Sequence, residues 1–193
     1  TSQIPEEIRD AISRMGKVVN PLSTAELYAP DSEREPYAGL CVQRNVSYGR
    51  HARQLLDIFT LDTSDALRPI LLFIHGGAFT KGDRRIGDSP FHDNIAIWAA
   101  RHSLIGVNMT YRLAPEHVWP AVQSDIHQVL EWLHIHASEW GGDANQIILM
   151  GHSAGAAHVA QYLAFPRLST SVCPRRAAVG ALILIALGKI QSQ

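Results

Sequence analysis

The stretch Ile147-Ile148-Leu149-Met150-Gly151-His152-Ser153-Ala154-Gly155-Ala156-Ala157 decides how this chain folds. Four apolar residues lead into a Gly-x-Ser-x-Gly pentapeptide and small residues follow it, an order that predicts a buried strand, a sharp turn and a helix. So tight a turn leaves almost no room for side chains beside it, which accounts for Gly151 and Gly155. We expect Ser153 to stand clear of the sheet, at the N-terminus of a helix whose free N–H groups favour negative charge.

The pentapeptide alone is a weak signal, because many proteins contain it by chance as a plain strand-to-helix turn. Here the apolar strand before it and the Ala-rich helix after it supply the context that a nucleophile requires. The pattern therefore indicates Ser153 as a candidate catalytic nucleophile.

Composition and charge describe a globular chain. Of its 193 residues, 46% are hydrophobic and 18% are charged, and the formal net charge is −1, so nothing indicates nucleic acid or an anionic membrane surface as a partner. No apolar run reaches the roughly 18 residues of a membrane span, and residues 1–7 lack a signal pattern. Two distant cysteines, Cys41 and Cys173, fit neither a disulfide framework nor a zinc site. We expect a cytoplasmic protein with buried free thiols.

Outward from the nucleophile turn, strands alternate with helices, which predicts the α/β class: a mostly parallel sheet with helices on both faces. The predicted strands are residues 41–48, 54–61, 70–74, 104–109, 147–150 and 179–187, and the predicted helices are residues 5–15, a segment containing 95–100, the stripe from 121 to before Gly141, and a helix ending near Phe165. After residue 15 the chain is expected to be irregular, since Pro21, Pro30 and Pro36 interrupt it. We predict that residues 1–36 are an N-terminal helical extension over the core, and that residues 37–193 carry the sheet.

A second motif, His75-Gly76-Gly77-Ala78-Phe79, follows the predicted strand 70–74. Its glycines allow the backbone to approach a ligand and to turn N–H groups outward, as an acyl-transfer enzyme needs where the tetrahedral oxyanion forms. Alone, the motif would be an ordinary Gly-Gly turn. Both motifs follow strands of a predicted parallel sheet, however, and reactive groups gather at the carboxyl ends of such strands.

With these motifs in place, the chain resembles the carboxylesterases of the hormone-sensitive-lipase-like type, which are α/β-hydrolases. The matching segments are His75-Gly76-Gly77-Ala78-Phe79, Tyr111-Arg112-Leu113-Ala114-Pro115-Glu116-His117, Trp119-Pro120-Ala121 and Gly151-His152-Ser153-Ala154-Gly155. The resemblance covers roughly residues 55–187. It implies that residues 37–193 are the N-terminal part of an α/β-hydrolase domain, with a sheet that is incomplete at its C-terminal side and with no cofactor.

The resemblance also implies roles for residues around Ser153. The oxyanion hole would consist of the backbone N–H groups of Gly77, Ala78 and Ala154. Many relatives have a third glycine where this chain has Ala78, so a methyl group would lie near the acyl site. His75 would brace the glycine loop, and Tyr111 and Arg112 would brace its neighbours. Asp125 is the ionic partner that we expect for Arg112.

The remaining histidines give no metal signal. His134 and His136 are two apart on a predicted helix and face different directions. His158 lies in the helix of the nucleophile, where we expect it to be packed or partly exposed. We therefore predict no metal site.

A serine nucleophile needs a base and an acid that orients it, and in α/β-hydrolases both follow the serine along the chain. Here the last carboxylate side chain belongs to Asp143 and the last imidazole to His158. We therefore expect the triad acid and histidine beyond Gln193, and we interpret the chain as part of a longer esterase. A short protein that has lost catalysis is the alternative.

Three functions remain open: hydrolysis of a carboxylic ester through an acyl-enzyme on Ser153, hydrolysis of an N-formyl amide as in kynurenine formamidase, and a non-catalytic binding module on the same fold. The partner would be a small-molecule ester or amide, and the oligomeric state stays open. Labelling of Ser153 by a fluorophosphonate would count against the binding module and would indicate that another histidine activates the serine.

We predict that residues 1–193 alone hydrolyse esters poorly or not at all, because a serine without an imidazole beside it is a weak nucleophile. Roughly 10³–10⁴-fold catalysis over water can survive loss of triad members, but only in a well-formed site. Here the strand 179–187 would be an exposed apolar edge that favours association. Turnover of a p-nitrophenyl ester and the size of the chain in solution measure both effects. A monodisperse monomer with enzyme-like turnover would contradict the prediction.

Overall fold

The computed structural model describes residues 4–17, 20–61, 66–164 and 180–184. Within this part of the chain a six-stranded sheet has the order β1-β2-β4-β3-β5-β6. Its strands are β1 Leu40–Ser47, β2 Leu55–Leu61, β3 Arg68–Ile74, β4 Ile105–Met109, β5 Gly142–His152 and β6 Gly180–Leu184. The strand order places β3 and β5, which precede the two motifs, side by side in the interior of the sheet.

The sheet is parallel except at its N-terminal edge. β1 and β2 form an antiparallel hairpin, and β2 also runs antiparallel to β4. The pairs β3–β4, β3–β5 and β5–β6 are parallel, with Ile74 of β3 opposite Gly151 of β5. The predicted mostly parallel α/β sheet is confirmed, and its parallel strands end together at the edge where both motifs begin.

Helices cover both faces of the sheet. These helices are α3 Asp93–Arg101, α4 Ala121–His136 and α5 Ala154–Ala164. On one face, Leu72 belongs to a buried cluster with Ile126 of α4 and Val159 of α5. On the other, Phe59 packs with Ala96 and Ala100 of α3. Neighbouring strand residues point to opposite faces, so the two clusters form separate core layers.

The N-terminal region is more helical than predicted. α1 Glu6–Met15 matches the predicted helix, but α2 Pro21–Tyr28 and a 3₁₀ turn Ala29–Asp31 occupy residues expected to be irregular. That expectation was wrong because Pro21 starts a helix, where its missing N–H costs no hydrogen bond. The Asn20 side chain caps this helix by accepting from the Ser23 N–H at 3.2 Å. The placement of residues 1–36 over the core stays a prediction.

Other sequence predictions have mixed outcomes. Cys41 is exposed rather than buried, because β1 is an edge strand whose side chains alternate in exposure and Cys41 lies on its outer side. Cys173 and Phe165 lie outside the described residues. The strand predicted over residues 179–187 is confirmed over Gly180–Leu184, and its remaining residues lie outside the described part. None of the helices in the described ranges has the length and apolar character to span a membrane.

Substitution of Leu72 tests the central position of β3. Leu72 is fully buried between β4 and β5, so Leu72→Ala should leave a cavity and lower the free energy of unfolding by about 2–5 kcal/mol. Urea denaturation of both variants measures the change. Leu22→Ala is the matched control, since Leu22 is 71% exposed and its truncation should cost less than about 0.5 kcal/mol. Equal losses for the two variants would contradict this description of the core.

Candidate active site

Ser153 occupies the turn between β5 and α5. Its φ is +52°, in the left-handed region that residues other than glycine rarely adopt, and its side chain is exposed. The Ala156 and Ala157 N–H groups donate to the Ser153 carbonyl at 3.0 and 3.2 Å, so the helix begins immediately after the serine. The strand, sharp turn and helix predicted from the sequence are therefore present in that order.

The two glycines around Ser153 are required by close backbone contacts. A Cβ on Gly151 would lie 2.5 Å from the Ala156 nitrogen, inside the first turn of α5. A Cβ on Gly155 would lie 2.1 Å from the Ile74 carbonyl oxygen and 2.6 Å from that of His75. The helix of the serine therefore packs directly against the end of β3, where the second motif begins.

The glycine loop, residues 76–82, lies against the turn that contains Ser153. A Cβ on Gly76 would be 3.0 Å from Ser153 Cβ and 2.9 Å from the His152 carbonyl oxygen. Gly77 then closes a tight turn, because its carbonyl accepts from the N–H groups of Thr80 at 3.2 Å and Lys81 at 3.0 Å. The structure thus brings together two motifs separated by more than seventy residues of sequence.

Free backbone donors occur at this junction. Within the described part of the chain, the N–H groups of Gly77 and Ala78 donate to no protein acceptor. Ala154 is the first residue of α5, where an N–H has no acceptor inside the helix. Ala78 has a φ of +50°, so a side chain adopts here a conformation that suits glycine better.

The buried side chains of His75 and Tyr111 contact the start of the glycine loop. Their rings stack with centroids 4.3 Å apart, and the Tyr111 hydroxyl donates to the His75 carbonyl at 2.7 Å. His75 Nδ1 donates to the Gly76 carbonyl at 2.7 Å. Burial lowers the pKa of His75 to about 3, so its ring is neutral and structural, in agreement with the bracing role expected for it.

The ion pair expected between Arg112 and Asp125 is confirmed. Asp125 Oδ2 accepts from the Arg112 N–H at 2.9 Å, and its Oδ1 lies 2.7 Å from Arg112 Nη2. The carboxylate is fully buried and also accepts from Gln54 Nε2 at 2.8 Å. Removal of one partner from such a pair leaves a buried charge uncompensated, so the pair fixes the chain after β4 to α4.

Two further histidines lie near the motifs. His158 packs edge-on against Phe79 and Tyr111, with ring centroids 5.2 and 5.3 Å away, and it is buried as expected. His92 lies 6.4 Å from the His152 ring and bonds through Nδ1 to the Asp83 carbonyl. Burial is the main cause that lowers the pKa of both His158 and His92 to about 4.

Among the residues that the structure describes, no acid or base forms a hydrogen bond with the Ser153 hydroxyl. Asp143 lies near the start of β5, at the far end of the strand from Ser153, and accepts from Asn145 and Gln146. In the described ranges, no group of three or more His, Cys, Asp or Glu residues could hold a metal ion. The expectations for the triad partners and for metals stay predictions.

Sequence reasoning missed Arg53 and Gln54, which lie before β2. Arg53 reaches the glycine loop and the chain after β4, while Gln54 reaches Asp125 on α4. Neither residue belongs to a recognisable sequence motif. Their partners are backbone carbonyls and a carboxylate on elements that are distant in sequence. No local sequence pattern predicts such contacts, because they depend on the order of the strands in the sheet.

Comparison with known proteins adds the family context. The BD-FAE family matches residues 56–172, more than half of the chain. A probable isoprenylcysteine alpha-carbonyl methylesterase, ICMEL2 of Arabidopsis thaliana, is 35% identical over 115 residues, which cover 60% of this chain and 26% of that protein. Esterase LipC of Mycobacterium tuberculosis is 32% identical over 114 residues, covering 58% and 27%. The match thus spans about a quarter of each curated relative.

Solved structures share the fold. A bacterial heroin esterase superposes with a TM-score of 0.62 at 26% identity, covering 88% of this chain and 55% of that one. Esterase B from Lactobacillus rhamnosis gives a TM-score of 0.63 at 18% identity, covering 91% and 54%. The fold of these structures is the α/β-hydrolase fold that the sequence motifs indicate.

The buried histidines predict a loss of stability in acid. The folded pKa of His158 lies below the ordinary value near 6.5, so the unfolded chain binds the extra proton. Stability should be complete above about pH 6.5 and should fall toward pH 4, by up to about 1.4 kcal/mol per pH unit for each such histidine. Urea denaturation across this range measures the slope.

His158→Leu should remove one proton from this dependence and reduce the slope. His134→Gln, at an exposed position of α4, is the control and should leave the slope unchanged. An identical slope in the wild type and His158→Leu would contradict the assignment of a neutral buried imidazole to His158.

Proposed function

The chain belongs to the BD-FAE family of α/β-hydrolases, and on that premise we propose that it carries the nucleophile and the oxyanion site of a serine carboxylesterase. The observation that carries this proposal is the contact of Gly76 with Ser153, where a Cβ on the glycine would lie 3.0 Å from Ser153 Cβ. It joins an exposed serine to a loop with free backbone donors. An acyl-transfer site needs this combination of nucleophile and oxyanion donors.

In the proposed reaction, the Ser153 hydroxyl oxygen attacks the carbonyl carbon of the ester while its proton passes to a histidine. The negative charge that develops on the carbonyl oxygen is stabilised by the N–H groups of Gly77, Ala78 and Ala154, at the N-terminus of α5. Collapse of the tetrahedral intermediate expels the alcohol, which takes up the proton, and leaves an acyl-serine. Water then attacks the acyl group, and the carboxylic acid departs as Ser153 regains its proton.

The proton-transfer histidine and its acid belong to this proposal as residues beyond Gln193. After Ser153 the chain contains one imidazole, that of His158, and no carboxylate side chain. His158 has a pKa lowered to about 4 by burial, which makes it a poor base at neutral pH. We therefore assign His158 to packing rather than to catalysis.

The proposed substrates are small-molecule carboxylic esters. The relatives from Arabidopsis thaliana and Mycobacterium tuberculosis are esterases by name, and esterase B has been solved with a tributyrin phosphonate inhibitor bound. Phe79, next to the proposed donor Ala78, is 45% exposed and presents an apolar surface beside the site. The Ala78 methyl group would narrow the space near the acyl carbon.

Substitution of Ser153 tests the proposal in the longest natural polypeptide that contains residues 1–193. Ser153→Ala should lower kcat for a short p-nitrophenyl ester by about 10⁴-fold or more, because loss of a serine nucleophile leaves only the oxyanion donors and substrate binding. It should also abolish labelling by a fluorophosphonate.

Ser124→Ala is the matched control. Ser124 is exposed on α4, and its hydroxyl bonds only to the Pro120 carbonyl among the residues described. Full esterase activity in Ser153→Ala would overturn the nucleophile. A kcat/KM that strongly favours N-formylkynurenine over the ester would instead overturn the ester assignment and favour an N-formyl amide hydrolase.

A further inference from the structure

The turn between β1 and β2, residues 48–54, contacts the chain after β4, the helix α4 and the end of the glycine loop. The Tyr48 hydroxyl donates to the Thr110 carbonyl at 2.7 Å, at the end of β4. Gln54 bonds to Asp125 and Gln128 on α4. This turn, here called the β1–β2 turn, is therefore joined to the chain after β4 and to α4.

Arg53 makes the contacts of this turn that reach the glycine loop itself. Its Nε donates to the Tyr111 carbonyl at 2.8 Å, and its Nη2 donates to the Gly82 carbonyl at 2.8 Å. Nη1 lies 3.6 Å from Asp83 Oδ2. One guanidinium thus bridges the end of the glycine loop and the chain after β4.

One carbonyl belongs to the last residue of the loop, and the other belongs to a residue that bonds to the backbone just before the loop. A Cβ on Gly82 would lie 2.1 Å from the Gly76 carbonyl oxygen and 2.6 Å from His75 Nδ1, so Gly82 packs on the backbone that carries the free donors. Tyr111 holds the other side, since its hydroxyl donates to the His75 carbonyl at 2.7 Å. The Arg53 guanidinium is therefore bonded directly to the end of the loop at Gly82, and through Tyr111 to the backbone just before its start.

The chemistry of the guanidinium suits this bridge. Its N–H groups diverge in a fixed plane and can serve two carbonyls at once, whereas a lysine ammonium is a flexible point charge. The Arg53 side chain is 28% exposed, so its bonds are partly shielded from water. Misplacement of a reacting group by about 1 Å can cost about 10²-fold in rate, so a small shift of this loop would have a large effect.

We propose that Arg53 is a positioning residue for the oxyanion site: it does not touch the substrate, and it holds the loop of Gly76–Gly82 in the arrangement that aims the Gly77 and Ala78 N–H groups. This inference rests on the proposed function for its catalytic consequence. Its structural part, the fixing of the loop, stands on the hydrogen bonds alone.

Arg53→Ala and Arg53→Lys test the proposal in the longest natural polypeptide that contains this chain. Arg53→Ala should lower kcat for a short p-nitrophenyl ester by about 10- to 100-fold while KM changes less than about threefold, since the loss is in transition-state stabilisation. Arg53→Lys should recover part of kcat because it can bond to one carbonyl. A residue that only stabilises the fold would lower the amount of active enzyme and leave kcat per labelled Ser153 unchanged.

Arg50→Ala is the matched control, since Arg50 lies exposed in the same turn and makes no hydrogen bond or ion pair with the other described residues. It should leave kcat and KM unchanged. If Arg53→Ala unfolds the protein, the test rests on Arg53→Lys alone. Wild-type kcat in Arg53→Lys, together with wild-type hydrogen exchange in residues 76–82, would then overturn the proposal.

Amide hydrogen exchange on the same variants separates this inference from the proposed function. Peptides covering residues 76–82 should exchange at least about tenfold faster in Arg53→Ala, while peptides of α3 keep their wild-type rates. If the wild type lacks esterase activity but the loop exchanges faster, the proposed function fails and the structural tie survives. Unchanged exchange overturns the inference, and so does faster exchange with wild-type kcat.

Discussion

The whole site depends on one close contact, that of α5 with the end of β3. A Cβ on Gly155 would fall 2.1 Å from the Ile74 carbonyl oxygen, so no larger residue fits without displacing the helix. Because Ile74 lies opposite Gly151 in the parallel ladder, the serine turn and the glycine loop leave the sheet at the same height. The geometry around Ser153 is thus a consequence of backbone packing in the sheet, before any polar side chain contributes.

Charged side chains hold the segment after the glycine loop in place. Arg44 pairs with Asp57 at 2.9 Å and with Asp93 at 2.6 Å, and Arg84 binds the other oxygen of Asp57 at 2.8 Å. Both carboxylates are almost fully buried, so each depends on its arginines. The Tyr37 hydroxyl donates to Asp93 at 2.8 Å, and burial beside that carboxylate raises the pKa of Tyr37 to about 12. The tyrosine therefore stays a donor at any physiological pH, and β1, β2 and α3 remain joined to the segment after the loop.

The sequence predicted most of what depends on local pattern. Strand and helix positions followed from apolar runs and helical stripes, and the serine turn followed from Gly151 and Gly155. The prediction was wrong at residues 21–31, where proline was interpreted as a breaker although Pro21 begins a helix. It was also wrong at Cys41, whose exposure depends on β1 being an edge strand. The contacts of Arg53 could not be predicted, since they join segments that only the strand order brings together. Local periodicity in a sequence does not predict which residues become neighbours in the folded chain.

The backbone conformation of Ser153 lowers the stability of the fold, while its side chain supplies the proposed nucleophile. Its φ of +52° costs a residue with a Cβ about 1–2 kcal/mol, a cost that glycine would not incur. A glycine here would relax the turn and stabilise the fold, yet it would remove the one hydroxyl that the turn presents. Selection of random variants for thermal stability alone should therefore enrich variants that have lost this serine. A screen for more stable variants needs an activity criterion to retain Ser153.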